Sequence, residues 1–144
     1  MERGAVFLII TGILIIIFFF VFFFFYTEYN TPEILNNTVV NVIDGDTFEY
    51  YNSNSNSFIT IRLLCVDTPE VNQSGYEEAK EYLETLILDK EVILVSSNSG
   101  PDKDVYSRLL RYVYVNSTFV NQKILNQGYG ELLIIPPEEC TEIQ

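Results

Sequence analysis

Val39-Val40-Asn41-Val42-Ile43-Asp44-Gly45-Asp46-Thr47-Phe48-Glu49-Tyr50-Tyr51 is the stretch that decides the fold. Two β-branched and aromatic runs flank an Asp-Gly pair, the pattern of an antiparallel hairpin. For a lone Asp-Gly the plain reading is a type I′ turn. An EF-hand is excluded, because the further oxygen ligands and the closing Glu are missing at the needed spacing. Beyond the hairpin, Asn52 to Ser57 alternates Asn and Ser and reads as an exposed loop. Phe58 to Val66 reads as a third strand. Asp67-Thr68-Pro69-Glu70 ends it, because Pro69 disfavours regular continuation. Tyr76 to Leu88 carries Tyr76, Ala79, Leu83 and Leu86 near helical spacing among Glu and Lys. Glu91 to Val95 is a fourth strand and Ser107 to Val115 a fifth. Phe119 to Gln127 is a short helix with Gly128 at its C-cap.

Five strands, with one helix between the third and fourth and another after the fifth, predict a mainly β fold with helices (α+β). The expected architecture is a five-stranded Greek-key barrel of the OB type. Such barrels often bind oligonucleotides, but a fold does not fix a function.

The chain has 144 residues, a net charge of −12, no His, no Trp and two Cys. Without His there is no Ser-His-Asp triad, no Cys-His pair and no His-ligated zinc. Two Cys cannot build a four-thiolate zinc site. Acid–base work falls to carboxylates, Lys or Tyr, and a metal must accept mainly oxygen ligands. Eight of the eleven Phe lie between Phe7 and Phe25, within 24 uncharged residues bounded by Arg3 and Glu28. That run exceeds the roughly 20 apolar residues a spanning helix needs. It ends in Phe22-Phe23-Phe24-Phe25-Tyr26 with no small-residue cleavage site. Residues 1–29 are therefore expected to form one transmembrane signal anchor with its flanks. Arg3 would keep the amino terminus cytoplasmic and the rest of this single-pass chain extracellular; secretion after signal cleavage is the alternative. Residues 30–37, with Thr31-Pro32, read as a polar tether, and 38–144 as the body. From Asn30 onward there are 18 acidic and 7 basic residues. So acidic a body is not a general polyanion binder. It would handle nucleic acid only through a few placed cations and a metal.

Three places carry candidate chemistry. Asp46 becomes interesting if a second carboxylate lies beside it. Arg62 sits in the otherwise apolar run Arg62-Leu63-Leu64-Cys65-Val66, and a charge there must be paired or face an anion. Asp67 and Glu70 fall at the Pro-containing bend, which can aim two carboxylates and a backbone carbonyl into one barrel mouth. In Asp102-Lys103-Asp104-Val105-Tyr106-Ser107-Arg108-Leu109-Leu110-Arg111 the two Arg are three apart and face opposite sides of a strand. Arg108 is the better placed to join Arg62, and Arg111 is read as a surface residue. Tyr112 and Tyr114 are read as packing residues rather than base-stacking ones.

In this order and spacing, Val-Ile-Asp-Gly-Asp-Thr, Ile-Arg-Leu-Leu-Cys-Val-Asp-Thr-Pro-Glu, Tyr-Ser-Arg-Leu-Leu-Arg-Tyr-Val-Tyr-Val and Phe-Val-Asn-Gln-Lys-Ile-Leu-Asn-Gln-Gly-Tyr resemble the staphylococcal nuclease (thermonuclease) family over about Val39 to Gly130. The resemblance implies an OB-fold, calcium (Ca2+), and hydrolysis of DNA and RNA phosphodiesters, single-stranded or flexible, to 3′-phosphates. It places calcium carboxylates at Asp46 and Asp67 and a carbonyl ligand at Thr68. It places the water-activating glutamate at Glu70 and phosphate-clamping arginines at Arg62 and Arg108. Asp44 is carried over as turn support only. A site with so few protein charges binds calcium weakly, as suits an outward-facing domain at roughly 10⁻⁴–10⁻³ M calcium.

The sequence departs from that pattern in its acidic body and in the short, lysine-free Val71 to Gly75. It also has Ile134-Ile135-Pro136-Pro137 where the family carries tyrosines beside the nucleotide, and it stops at Gln144, short of the family's third helix. No obligate protein partner is expected. The competing expectations are a catalytically inactive OB-fold that binds nucleic acid or protein at the cell surface, and a surface calcium-binding module. Cys65 and Cys140 could pair outside the cell, or Cys65 could simply be a buried strand residue. Asn36, Asn72 and Asn116 each begin a glycosylation pattern.

Overall fold

The Asp44-Gly45-Asp46 turn joins two strands, β1 (Thr38–Val42) and β2 (Thr47–Asn52), that pair antiparallel with Val42 opposite Phe48. It closes by hydrogen bonds from the Ile43 and Asp44 N–H groups to the Thr47 carbonyl, at 2.9 and 3.2 Å. Asp44 Oδ1 accepts the Asp46 N–H at 3.0 Å. The expected type I′ geometry is not what forms. Among the described residues the glycines with positive φ are Gly75 and Gly128, and Gly45 is not one of them. Glycine is required at 45 for space: a Cβ there would lie 2.7 Å from the Ala79 Cβ and 2.8 Å from the Thr68 Oγ1. The turn is thus pressed against the helix and the loop that complete the site.

The computed structural model describes residues 12–23, 38–137 and 140–143. The chain divides into two compact units, Met1–Glu33 and Ile34–Gln144. In the first, residues 12–23 form helix α1, whose residues from Ile13 to Phe23 are exposed and apolar on every side. Among the described residues no helix is long and apolar enough to cross a membrane. The remainder of the expected span, the polar tether and Asn36 lie outside the described residues.

In the second unit, β2 pairs with β3 (Ser57–Leu63), with Thr47 opposite Arg62. Strand β3 runs parallel to β6 (Leu109–Val115), and β6 is antiparallel to β5 (Ile93–Val95). The sheet order is β1-β2-β3-β6-β5. Its first strand then meets the residues preceding its last: Thr38 bridges Glu91, the Val39 N–H reaches the Lys90 carbonyl at 3.0 Å, and the Asp89 N–H reaches the Val39 carbonyl at 3.0 Å. This mixed α+β arrangement with a curled sheet fits an OB-fold. Phe48, Ile61, Leu63, Val92 and Val113 fill the interior. Each such side chain contributes about 1.5–3 kcal/mol on burial.

Helix α2 (Tyr76–Ile87) buries Ala79, Leu83 and Ile87, one residue every four. Its inward stripe therefore drifts off the expected Leu86 and onto Ile87. Lys90 Nζ donates to the Thr85 and Leu86 carbonyls at 2.7 and 2.8 Å, satisfying the helix end. Helix α3 (Val120–Asn126) ends in a Schellman pair around Gly128 at φ +77°, as expected: the Gly128 N–H goes to the Leu125 carbonyl and the Tyr129 N–H to the Ile124 carbonyl.

The expected third strand, Phe58 to Val66, is broken. It stops at Leu63, turns at Leu64-Cys65 with Cys65 at φ +63°, and resumes as β4 (Val66–Asp67). Strand β4 pairs with β8 (Glu131–Leu132). The turn persists because other groups take its backbone. Arg62 Nη1 donates to the Val66 carbonyl at 2.6 Å and the Leu63 carbonyl at 3.3 Å. The buried Asn121 Nδ2 donates to the Leu64 carbonyl at 2.9 Å, while its Oδ1 accepts the Val113 N–H at 2.8 Å. Cys65 is disulfide-bonded to Cys140, which resolves the open pairing. The fifth strand begins at Leu109 rather than Ser107, whose φ of +67° is incompatible with a strand. A two-residue strand, β7 (Thr118–Phe119), pairs with the end of β6.

Candidate active site

The turn between β1 and β2, the end of β3 and the bend after β4 converge on Asp46. Its side chain is 6% exposed, accepts three hydrogen bonds and makes one ion pair. Oδ1 receives the Thr47 hydroxyl at 3.0 Å and pairs with Arg62 Nη1 at 2.9 Å. Oδ2 receives the Thr68 N–H at 3.0 Å and the Thr68 hydroxyl at 2.9 Å. Burial pushes the carboxyl up to about 6, and the Arg62 charge moderates the rise. Arg62, 12% exposed, also reaches Asp67 Oδ1 with Nη2 at 3.2 Å. Asp67 itself is 53% exposed at its side chain. One guanidinium therefore joins a buried and an exposed carboxylate. Its Nε and one Nη2 hydrogen remain for a further acceptor.

Arg108 enters from the loop before β6. Its Nε donates to Asp104 Oδ2 at 2.6 Å, and its Nη1 reaches the Thr47 hydroxyl oxygen at 3.3 Å. Burial works to raise Asp104, but the Arg108 hydrogen bonds and charge outweigh it and hold the carboxyl below its ordinary range. Arg111, expected at the surface, is 14% exposed at its side chain and paired with Asp102 at 2.7 Å. The strand turns it away from Arg108, but the loop carrying Asp102 folds over it. Tyr112 is buried and Tyr114 stacks on Phe119 at 4.7 Å, so both pack as expected.

The structure thus brings Asp46, Arg62, Asp67 and Thr68 together and connects Arg108 to them through Thr47. Among the described residues no hydrogen bond or ion pair ties the Glu70 carboxylate to them. Glu70 is exposed on the loop before α2, where its N–H donates to Gln73 Oε1 at 2.8 Å. No group of three acidic side chains that could hold a metal occurs among the described residues. Thr68, expected to offer its carbonyl, supplies its N–H and hydroxyl to Asp46. Thr47, Asp104 and Asn121 were not expected to matter. The Asp104-to-Arg108 spacing of four was the available signal for one of them.

The donor set suits a hard cation: it is all oxygen, with one buried and one exposed carboxylate. Both oxygens of Asp46 already have protein partners. A cation at this carboxylate would have to share or displace one of them. Asp46, Asp67 and Thr68 would hold such an ion.

A cavity of about 640 Å³ opens beside this network, lined by Arg62, Lys103 and Arg108, by Asp104, and by apolar residues including Leu64, Leu110 and Leu133. Three of the seven basic residues of the body therefore share one cavity in an otherwise acidic domain. A second hollow of about 320 Å³ includes Asp67, Thr68, Gln73 and Glu131.

A family model described as staphylococcal nuclease homologue matches residues 60–143. The match includes Arg62, Asp67, Thr68, Glu70 and Arg108 and begins after Asp46. The chain is 32% identical to an uncharacterized protein of Methanocaldococcus jannaschii, over 76% of this chain and 65% of the relative. It is 30% identical to Endonuclease YncB of Bacillus subtilis, over 74% of this chain and 52% of the relative. An uncharacterized endonuclease of Haemophilus influenzae is 33% identical, over 62% of this chain and 48% of the relative. The chain spans about half to two thirds of the length of these relatives.

Proposed function

The chain belongs to the staphylococcal nuclease homologue family, and on that premise we propose that it is a calcium-dependent endonuclease acting on DNA and RNA. The observation that carries this reading is the pair of guanidinium groups, Arg62 and Arg108, joined through Asp46 and Thr47 beside a cavity that gathers basic residues in an acidic body. The two relatives named as endonucleases support it.

Arg62 and Arg108 offer planar forks of donors to the non-bridging oxygens of one phosphodiester. These bonds strengthen as negative charge grows on phosphorus, so they stabilise the transition state more than the ground state. Calcium, when bound, neutralises phosphate charge and helps to orient the reacting groups. The exposed Glu70 carboxylate takes a proton from the attacking water. The water oxygen bonds to phosphorus as one ester P–O bond breaks, and the departing alkoxide takes a proton from solvent water. The cavity wall beside the arginines is mostly apolar, with few donors or acceptors to read base edges, which supports little sequence preference. Few cations also mean few phosphate contacts and weak nonspecific binding.

The same reading places the domain outside the cell, anchored by the apolar amino-terminal segment. Two observations support it. Helix α1 is apolar on every side, and a disulfide persists in oxidising compartments. Protease added to intact cells is expected to release the body; a protected body would reverse the orientation.

The full chain incubated with single-stranded DNA or RNA and calcium should cleave both, and a chelator should stop it. Binding without cleavage at any calcium concentration would instead favour the inactive binding module. A second prediction follows from Asp46. Its folded pKa of about 6 lies above the unfolded value of 3.8. The metal-free fold therefore gains most from this group below about pH 4 and loses that gain as pH rises through 6. Calcium needs the ionised form, so its apparent affinity should be level above about pH 7. Below pH 6 it should fall about tenfold per unit. Calorimetric calcium titrations between pH 5 and 8 check this, and a flat affinity over that range would refute it.

A further inference from the structure

Arg108 differs from Arg62 in how it is held. It lies at the end of a loop whose neighbours Val105 and Tyr106 are largely exposed, and an arginine there would ordinarily be free to sample many rotamers. Two side chains prevent this. Asp104 Oδ1 accepts the N–H groups of both Tyr106 and Arg108 at 2.9 Å, and Asp104 Oδ2 accepts Arg108 Nε at 2.6 Å. The Asp104 N–H and carbonyl also bond within the same loop, to the Arg108 carbonyl and the Ser107 N–H, each at 3.1 Å. A single carboxylate therefore shapes the loop and fixes one edge of the guanidinium. Thr47 fixes the other end. Its buried hydroxyl accepts from Arg108 Nη1 at 3.3 Å and donates to Asp46 Oδ1 at 3.0 Å, the oxygen that Arg62 Nη1 also contacts at 2.9 Å. The Tyr106 ring lies 5.3 Å from the Arg108 Cζ and covers the guanidinium face.

We propose that Thr47 and Asp104 are positioning residues that orient the Arg108 guanidinium and set its distance from Arg62. The inference rests on the nuclease reading above. With Nε and one Nη1 hydrogen committed, Nη2 and the other Nη1 hydrogen remain as a fork for a phosphate in the cavity that Arg108 lines. Because the fork is ordered before substrate arrives, less rotamer freedom is lost on binding. A misplacement of the order of 1 Å can cost about 100-fold in rate.

Steady-state cleavage of a single-stranded oligonucleotide by the full chain at saturating calcium tests this. Thr47→Val keeps the shape and β-branching but removes the hydroxyl; Asp104→Asn removes the charge. Each should lower kcat by about 10- to 100-fold with KM changed less than about threefold. Thr47→Ser should recover most of the lost rate. In an Arg108→Ala background, Asp104→Asn should not lower kcat by more than about threefold, because the group it positions is gone, and Thr47→Val should cost clearly less than in the wild-type background, the remainder reporting its bond to Asp46. Wild-type kcat in both single variants would overturn the proposal. So would full additivity with Arg108→Ala, or a Thr47→Ser variant as slow as Thr47→Val. If the wild-type chain does not cleave at all, the nuclease reading fails, and the positioning is still decided by the Arg108 Nε–H resonance of ¹⁵N-labelled protein. A slowly exchanging signal that Asp104→Asn abolishes and Thr47→Val broadens supports it; a signal indifferent to both refutes it.

Discussion

Arg62→Ala is expected to remove cleavage almost entirely, by about 10³-fold or more, and to destabilise the fold by about 3–5 kcal/mol. The two effects have one origin. Arg62 is the only cation in contact with Asp46 among the described residues, at 2.9 Å, and it also reaches Asp67 at 3.2 Å. It wraps the Leu64-Cys65 turn through the Val66 and Leu63 carbonyls. Deleting it leaves a carboxylate buried without its countercharge, loosens the segment that delivers Asp67 and, on the proposed nuclease reading, withdraws a transition-state donor. The Arg62 charge lowers the Asp46 pKa, so its loss must raise that value beyond about 6. The buried carboxyl then escapes part of the penalty by protonating, which limits the loss at acid pH and exposes it fully above neutrality. Arg62→Lys separates the parts: it keeps the charge and should recover part of the stability. It lacks the fork and should not recover the rate. Single-turnover cleavage and chemical unfolding at pH 5.5 and 8 measure both quantities. Cleavage within tenfold of wild type in Arg62→Ala would remove Arg62 from the mechanism.

The parts of this site that were legible in the sequence are those whose local pattern carries its own physical cost. Arg62 stood out because a charge in an apolar strand needs a partner, and it has two. Asp46 read alone was an ordinary turn residue and became a candidate only beside a second carboxylate, and Gly45 is there for close approach rather than for a left-handed conformation. The break at Leu64-Cys65 was illegible, because Phe58 to Val66 is uniformly β-forming and nothing local opposes continuation. The turn is imposed from outside by Arg62, Asn121 and Cys140, which lie up to 75 residues from Cys65. Thr47 was hidden for a related reason. Its hydroxyl matters through Arg108, 61 residues away, and no spacing rule connects a strand residue to a loop that far along the chain. Asp104 was within reach, as a carboxylate four residues from an arginine. It sits in a loop, however, where that spacing has no helical meaning. Glu70 marks the opposite case: the residue type and the bend are present, while its carboxylate stays outside the network around Asp46.

Removing the disulfide is the second large effect expected. Cys65→Ser combined with Cys140→Ser should lower stability by about 4 kcal/mol, from the loop-closure entropy of a cross-link between residues 75 apart. For a body of this size that corresponds to a fall in Tm on the order of 15–20 °C. The consequence for the site follows from where the bond sits in the carboxy-terminal stretch. After α3, the chain returns to the body through the two-residue β4–β8 ladder and a hydrogen bond from the Leu133 N–H to the Cys65 carbonyl at 3.2 Å. Cys140 is buried beside Leu64 and Tyr112, and its bond to Cys65 joins that stretch to the turn between Arg62 and Asp67. Leu133 and Ile135, which line the cavity beside the arginines, belong to the same stretch. The double Ser variant should therefore lose cleavage at temperatures well below its unfolding midpoint, as the cavity wall and Asp67 lose their restraint before the β1–β2–β3 sheet does. Thermal unfolding of the oxidised protein, of the protein with excess reductant and of the double Ser variant, each followed alongside cleavage rate, measures this. Reductant should shift the wild-type chain and leave the double variant unmoved. A Tm change under about 3 °C would show that packing alone holds Cys140 in place and that the covalent bond is dispensable for the site.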